Sequence, residues 1–88
     1  MKLKENLILR QVASIWVVIP VGSATVDFTG MLNLNESGAL LWNVLKNGGD
    51  RDKMAETLMA EYDVEKQQAY ADIDMFLEKL NQAGCIEA

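Results

Sequence analysis

The sequence contains no histidine and only one cysteine, Cys85, among its 88 residues. Without histidine, the chain lacks the usual general base, the commonest metal ligand and the usual pH-dependent switch. One cysteine cannot close an intrachain disulfide, which suits a reducing compartment. One thiol without histidine also excludes a zinc site of nitrogen and sulfur ligands. We therefore predict a protein that is not an enzyme and has no catalytic residue, metal site or cofactor.

Basic residues are scarce, with 8 lysines and arginines against 13 aspartates and glutamates, for a net charge of −5. Residues 1–35 carry a net charge of +1, whereas residues 36–88 carry −6. Binding to nucleic acid needs clustered lysine and arginine side chains that displace counterions from phosphates. This charge distribution argues against a nucleic-acid partner.

Long hydrophobic runs are also missing. The N-terminus begins like a signal peptide, but Arg10 and Gln11 interrupt its apolar stretch, and no cleavage site follows. The later run from Ile15 to Pro20 is too short to span a bilayer. Half of the residues are nevertheless hydrophobic, enough for one core. We predict a cytoplasmic protein without a membrane partner, folded as a single domain over residues 1–88.

The first 35 residues have the patterns of β-strands. Residues 7–12 and the β-branched run 15–19 predict two strands, joined by a hairpin turn at Ala13 and Ser14. Residues 28–34 alternate, with Phe28, Leu32 and Leu34 on one face, which is the period-two pattern of a half-buried strand. Three consecutive strands predict a small antiparallel meander.

The remaining residues have helical periodicity, which predicts three helices. Asn35 is placed to cap the first helix, and Gly48 and Gly49 to end it. The second helix is expected to begin near Asp50 or Asp52. Asp63 is the predicted cap of the third, whose apolar face comprises Ala69, Ile73, Phe76, Leu77 and Leu80. The predicted fold class is therefore α+β, a three-stranded antiparallel sheet followed by three helices.

Several segments, in this order, resemble the PqqD-like family, also called RiPP recognition elements. They are Leu32-Asn33-Leu34-Asn35-Glu36-Ser37-Gly38-Ala39, then Trp42 and Leu45, then Glu61-Tyr62-Asp63-Val64, and finally Asp72-Ile73, Phe76-Leu77, Leu80 and Gly84-Cys85-Ile86. The resemblance covers roughly residues 5–87. Cys85 departs from it, because the family more often has a bulky aliphatic residue at a position that packs rather than reacts.

The resemblance implies a winged helix-turn-helix-like fold and a non-catalytic peptide chaperone. Such a domain binds the leader of a ribosomally synthesised precursor peptide and presents the precursor to a modifying enzyme, commonly a radical-SAM maturase. The leader would add as a strand in a groove between the third strand and the third helix.

Strand addition needs an exposed sheet edge with free N–H and C=O groups. The predicted peptide-binding residues on that edge are Phe28, Thr29, Gly30, Met31, Leu32 and Asn33. Those on the third helix are Tyr70, Ile73 and Leu77, although the sequence does not fix which border of the helix lines the groove. Ile73 and Phe76 suit the core better than a groove, Gly30 could mark a bulge, and Met31 could be ordinary surface. Asp72 or Asp74 could contact a basic leader residue or simply be solvated.

Two other functions remain open at this point. The same sheet edge could serve a small protein–protein interaction domain outside peptide modification, and an unpaired edge would also allow homodimerisation. A DNA-binding winged helix is disfavoured, because its recognition helix would carry Glu65, Asp72, Asp74 and Glu78 toward the phosphates.

Overall fold

A computed structural model describes residues 2–4, 7–21 and 32–87. The central feature is a three-stranded antiparallel sheet, in which β3 (Ile15–Pro20) lies between β2 (Leu7–Val12) and β4 (Leu32–Leu34). A further short strand, β1 (Lys2–Leu3), precedes them. Leu32–Leu34 confirms the end of the strand predicted over residues 28–34, whereas 28–31 lie outside the described residues.

The β2–β3 hairpin turns at the two predicted residues. Val12 pairs with Ile15, so Ala13 and Ser14 form the whole connection. Ala13 has a φ of 57°, the left-handed region that two-residue hairpin turns require and that alanine adopts at a cost.

Alternation along the strands gives the sheet one face toward the helices. Val18 and its neighbour Leu32 lie opposite each other on that face, and both are buried. Trp16 lies opposite Leu34 on the same face, where Leu34 is buried and Trp16 half-buried. The register therefore carries the apolar side chains of β3 and β4 into the core.

The helices are α1 (Glu36–Lys46), α2 (Arg51–Glu61) and α3 (Lys66–Gln82). The predicted cap of the first helix is confirmed, because Asn35 Oδ1 accepts from the Gly38 N–H at 2.8 Å. The second helix begins where expected, after Asp50, whose Oδ1 accepts from the Lys53 N–H at 2.8 Å. The prediction that Asp63 caps the third helix is wrong. Glu65, with an extended backbone and no side-chain cap, precedes α3.

The core lies where the three helices cover the sheet. Trp42 of α1, Met54 of α2, and Ile73 and Leu80 of α3 are almost completely buried, together with Val18 of the sheet. Among the described residues, the Trp42 indole N–H finds no hydrogen-bond acceptor.

After α3, Gly84 adopts a φ of 82° and the Cys85 N–H donates to the Leu80 carbonyl at 2.9 Å, which ends the helix. A final strand, β5 (Ile86–Glu87), pairs antiparallel with β1. Cys85 packs in the core, as the sequence predicted, and burial raises the pKa of its thiol to about 11.

The predicted α+β class, three antiparallel strands followed by three helices, is therefore confirmed. The two-stranded β1–β5 sheet is an addition that the sequence did not predict. Within the described ranges, none of the three helices is long and apolar enough to cross a membrane.

Candidate functional site

A cleft of about 830 Å³ opens between the edge of β4 and one side of α3. Its lining comes from every layer of the fold and consists of Ser14 and Ile15 of the hairpin, Asn33, Leu34 and Asn35 around the end of β4, Ser37, Gly38 and Leu41 of α1, Leu58, Tyr62 and Val64 in and after α2, and Asp72, Met75, Phe76 and Lys79 of α3. This volume is near the upper end of the roughly 300–1,000 Å³ typical of ligand sites.

The cleft has an apolar floor and a partly apolar rim. Leu34, Leu41, Leu58 and Phe76 form the floor as the buried apolar residues of the lining. On the rim, Ile15, Tyr62 and Met75 are 48%, 37% and 71% exposed, and they are three of the six large apolar side chains exposed in the described chain. An exposed apolar group that borders a concavity is typical of a binding surface rather than of scattered surface residues.

The sheet edge enters the cleft at Asn33. Its carbonyl oxygen accepts a hydrogen bond from Lys79 Nζ at 3.0 Å, so this carbonyl faces α3 rather than β3. The N–H and C=O of one strand residue point to the same side, and the Asn33 N–H therefore also faces the cleft. Within the described residues, β4 pairs only with β3, which leaves this edge available for another strand.

Little room is left for a side chain at Gly38, where α1 meets the cleft. A Cβ added to Gly38 would lie 3.2 Å from both Asn35 Oδ1 and Leu34 Cβ. The cap that starts α1 and the last residue of β4 therefore pack directly against the glycine. This contact gives a physical reason for the small residue in the segment that follows β4.

One border of α3 forms the helical wall of the cleft. Asp72, Met75, Phe76 and Lys79 follow the i, i+3, i+4, i+7 spacing of a single helix face. Asp72 and Lys79 are the only charged side chains in the described lining, one near each end of this wall.

The three α3 residues predicted from the sequence lie elsewhere on the helix. Ile73 is completely buried in the core, where it has no surface to offer a ligand. Tyr70 and Leu77 pack partly buried against the same core, outside the cleft lining. Their predicted contact with a peptide stays a prediction, but the cleft favours the opposite border of α3.

A polar cluster centred on Arg51 explains the position of Tyr70. Nε and Nη2 of Arg51 donate to the two carboxylate oxygens of Asp74, both at 2.8 Å, and the guanidinium lies 4.3 Å from the centre of the Tyr70 ring. The Tyr70 hydroxyl donates to Asp52. The hydrogen bond from Arg51 lowers the pKa of Asp74, and the bond to Asp52 raises the pKa of Tyr70.

This cluster joins the start of α2 to the middle of α3. Within it, Tyr70 bonds to Asp52 and Asp74 bonds to Arg51. Of the two aspartates considered for contact with a basic residue, Asp72 lines the cleft and Asp74 is paired with Arg51.

The predicted residues of the strand also differ in their position relative to the cleft. Asn33 lies in the cleft, Leu32 is buried beneath it, and Phe28, Thr29, Gly30 and Met31 lie outside the described residues. Lys79 and Met75 were not among the predicted site residues. The sequence could have indicated Met75, because it is an apolar residue on the otherwise polar face of α3.

Cys85, the single thiol, is not part of the cleft lining. In the described part of the chain, no three acidic or cysteine side chains are grouped so that they could hold a metal ion. The cleft offers apolar contacts, one sheet edge and two charges of opposite sign.

Comparison with known proteins decides the family. The model of the family described as coenzyme PQQ synthesis protein D (PqqD) matches residues 16–86. The chain belongs to the PqqD family. The match covers β4, the whole of α3 and every residue of the cleft lining except Ser14 and Ile15. The resemblance read from the sequence is thereby confirmed.

Two solved structures share the fold of this PqqD family member. TbiB1 in complex with the TbiA(beta) leader peptide has a TM-score of 0.81 and 19% sequence identity, with 100% of this chain and 96% of that chain covered. Lasso peptide synthetase B1 complexed with its leader peptide has a TM-score of 0.79 and 24% identity, with 99% and 96% covered. No curated protein sequence matches the chain.

Proposed function

We propose that this chain binds the leader of a ribosomally synthesised precursor peptide as an added strand at the edge of β4 and presents the precursor to a modifying enzyme. The observation that carries the proposal is the Asn33 edge, whose N–H and C=O face an apolar cleft rather than another described strand. Both solved structures with this fold contain a leader peptide, which supports the same class of ligand.

The cleft suits an extended peptide in two complementary ways. The backbone edge supplies hydrogen bonds that any sequence can use, while the floor of Leu34, Leu41, Leu58 and Phe76 accepts alternate side chains of the added strand. Backbone pairing thus provides affinity, and the apolar floor provides selection. No nucleophile, metal cluster or second charged pair is needed for this role.

A proline substitution at Asn33 tests the mode of binding. Proline removes the N–H that faces the cleft but leaves the β3 side of the strand unchanged, and edge positions of this kind tolerate it. Asn33→Ala is the matched control, because it shortens the same side chain and keeps the N–H. Peptides selected by the wild-type protein from a displayed random library would serve as ligands for calorimetric titration.

We expect Asn33→Ala to bind these peptides like the wild type and Asn33→Pro to bind at least about fivefold more weakly, since a backbone hydrogen bond contributes about 1 kcal/mol. Amide chemical shifts of the free variants would check that both remain folded. Equal affinity of a folded Asn33→Pro variant would refute strand addition at this edge.

The proposal also includes the class of modifying enzyme. A radical-SAM enzyme or a similar maturase is expected to modify its precursor faster when this chain is present. The discriminating measurement is the rate of modification with the wild type against Asn33→Pro. A maturase that works equally well with either would favour an interaction domain outside peptide modification.

A further inference from the structure

Lys79 occupies the hydrogen-bond acceptor that an incoming strand would use. Its Nζ donates to the Asn33 carbonyl at 3.0 Å, and it forms no ion pair with any described carboxylate. A lysine laid over a strand edge is a recognised way to keep the edge from pairing with the wrong chain. A strand that adds to β4 must displace this ammonium from the carbonyl.

Asp72 is the opposite charge at the other end of the same wall. It accepts a hydrogen bond from Gln68 Nε2 at 2.8 Å, a neighbour on its own helix, and has no described cationic partner. By contrast, Asp74, two residues along, is neutralised by Arg51 on the far side of α3. The cleft thus retains one negative and one positive side chain without partners of opposite charge among the described residues.

The two charges have a defined separation. Seven residues of α-helix extend about 10 Å, which corresponds to about three residues of extended strand at roughly 3.3 Å each. Side chains on one face of a strand recur at every second residue, so two that reach toward Asp72 and Lys79 are separated by two or four positions. Charges on the bound peptide would therefore meet both side chains only at one of these spacings.

We propose that Asp72 and Lys79 determine which peptides this cleft accepts, a role that rests on the proposed strand addition. The accepted segment carries a basic residue opposite Asp72 and an acidic residue two or four positions away opposite Lys79. When such a segment binds, the Lys79 ammonium leaves the Asn33 carbonyl and pairs with the acidic residue. A segment without that acid displaces Lys79 and gives it no new partner, so the edge discriminates against it.

For a peptide of given sequence, the two charges set the direction of the strand, because its basic end lies toward the N-terminal half of α3 and its acidic end toward the C-terminal half. Neutral peptides of either direction fit the apolar floor equally well. Only these two charges select the direction of the bound strand.

The test is a selection of displayed random peptides of about 15 residues, long enough to span the cleft at roughly 3.3 Å per residue. Three immobilised full-length proteins are compared, namely the wild type, Lys79→Glu and the double charge exchange Asp72→Lys/Lys79→Glu. Asn33→Pro serves as the counter-selection, which removes peptides that bind without the Asn33 N–H.

We expect wild-type binders to be enriched in a basic and an acidic residue at the stated spacing. Lys79→Glu should lose the acidic preference. A wild-type binder whose basic and acidic residues are exchanged should bind the double exchange as the original peptide binds the wild type. For one wild-type peptide, replacing its acidic residue by glutamine should weaken binding about two- to fivefold, the range of an exposed ion pair. The same replacement should change nothing for Lys79→Glu.

Identical charge patterns from the wild type and Lys79→Glu would overturn the role of Lys79 while leaving strand addition intact. Peptides that are enriched equally by Asn33→Pro, or no enrichment at all, would instead overturn the proposed function and this inference with it. Circular dichroism of each variant checks that the exposed substitutions leave the fold unchanged.

Discussion

Met75 offers a direct test of the cleft, because it is the most exposed large apolar residue of the described chain, at 71%. Complete burial of a methionine side chain is worth about 1.5–3 kcal/mol. A peptide in the cleft can remove from water at most the exposed seven-tenths, which corresponds to about 1–2 kcal/mol. Met75→Ala should therefore weaken peptide binding, with an upper limit of about 5- to 30-fold, since 1.4 kcal/mol is a factor of ten.

Met59 provides the matched control. It is also an exposed methionine on a helix, at 44%, but it lies on α2 outside the cleft lining. Met59→Ala should leave peptide affinity unchanged. Both substitutions should alter the free energy of unfolding by no more than about 0.5 kcal/mol, as is usual for exposed helix positions.

Calorimetric titration of library-selected peptides measures both affinities, and urea denaturation measures both stabilities. If Met75→Ala binds as tightly as the wild type, the peptide does not cover this rim and the cleft is not the site. If both alanine variants weaken binding equally, the effect does not come from the cleft.

Three further outcomes follow from local features. Gly49→Ala should destabilise the fold more than Gly48→Ala. A Cβ at Gly49 would lie 2.4 Å from a side-chain atom and 2.9 Å from a carbonyl oxygen of α1, whereas a Cβ at Gly48 would meet open space and be strained only by the φ of 85°. Urea denaturation of the two variants compares their free energies of unfolding. The Cys85 thiol, with its pKa raised from 9.0 to about 11, should resist alkylation until the protein unfolds. Between about pH 9 and 11 only the unfolded wild type has released the thiol proton, so the folded state loses stability there as the pH rises. Cys85→Ala should reduce that loss. Arg51→Ala should raise the pKa of Asp74 from its lowered value in a carboxyl NMR titration, and should remove stabilisation that the wild type has above pH 3.8 and loses as the pH falls through the folded pKa; an unchanged Asp74 titration would contradict the pairing.

Periodicity was sufficient to predict the main elements of the fold. The β-branched run 15–19 and the alternation around Leu32 predicted strands of the antiparallel sheet. Asn35 located the start of the first helix, and Asp50 and Asp52 located that of the second to within two residues. These signals are local, since each depends on residues within a few positions of one another. The β1–β5 pair was missed because two residues are too few to show any period.

The rotation of α3 could not be predicted, because it depends on contacts distant in sequence. The hydrogen bonds from Arg51 to Asp74 and from Tyr70 to Asp52 join residues 23 and 18 positions apart, and they lie on the border of α3 that faces α2. The border with Met75 is then the one that faces β4. The sequence showed both borders as equivalent, whereas tertiary packing distinguishes them.

The pairing of β1 with β5 brings the beginning and the end of the described chain together. Lys2 lies directly opposite Glu87, and the Lys4 N–H donates to the Cys85 carbonyl at 2.8 Å. Opposed residues in such a pair have Cα atoms only about 5 Å apart. Two neighbouring ends allow a fold to be inserted into a surface loop of a larger protein without separating the flanking segments of its host. The cleft between β4 and α3 would keep its form in such a fusion, because neither β1 nor β5 contributes to its walls.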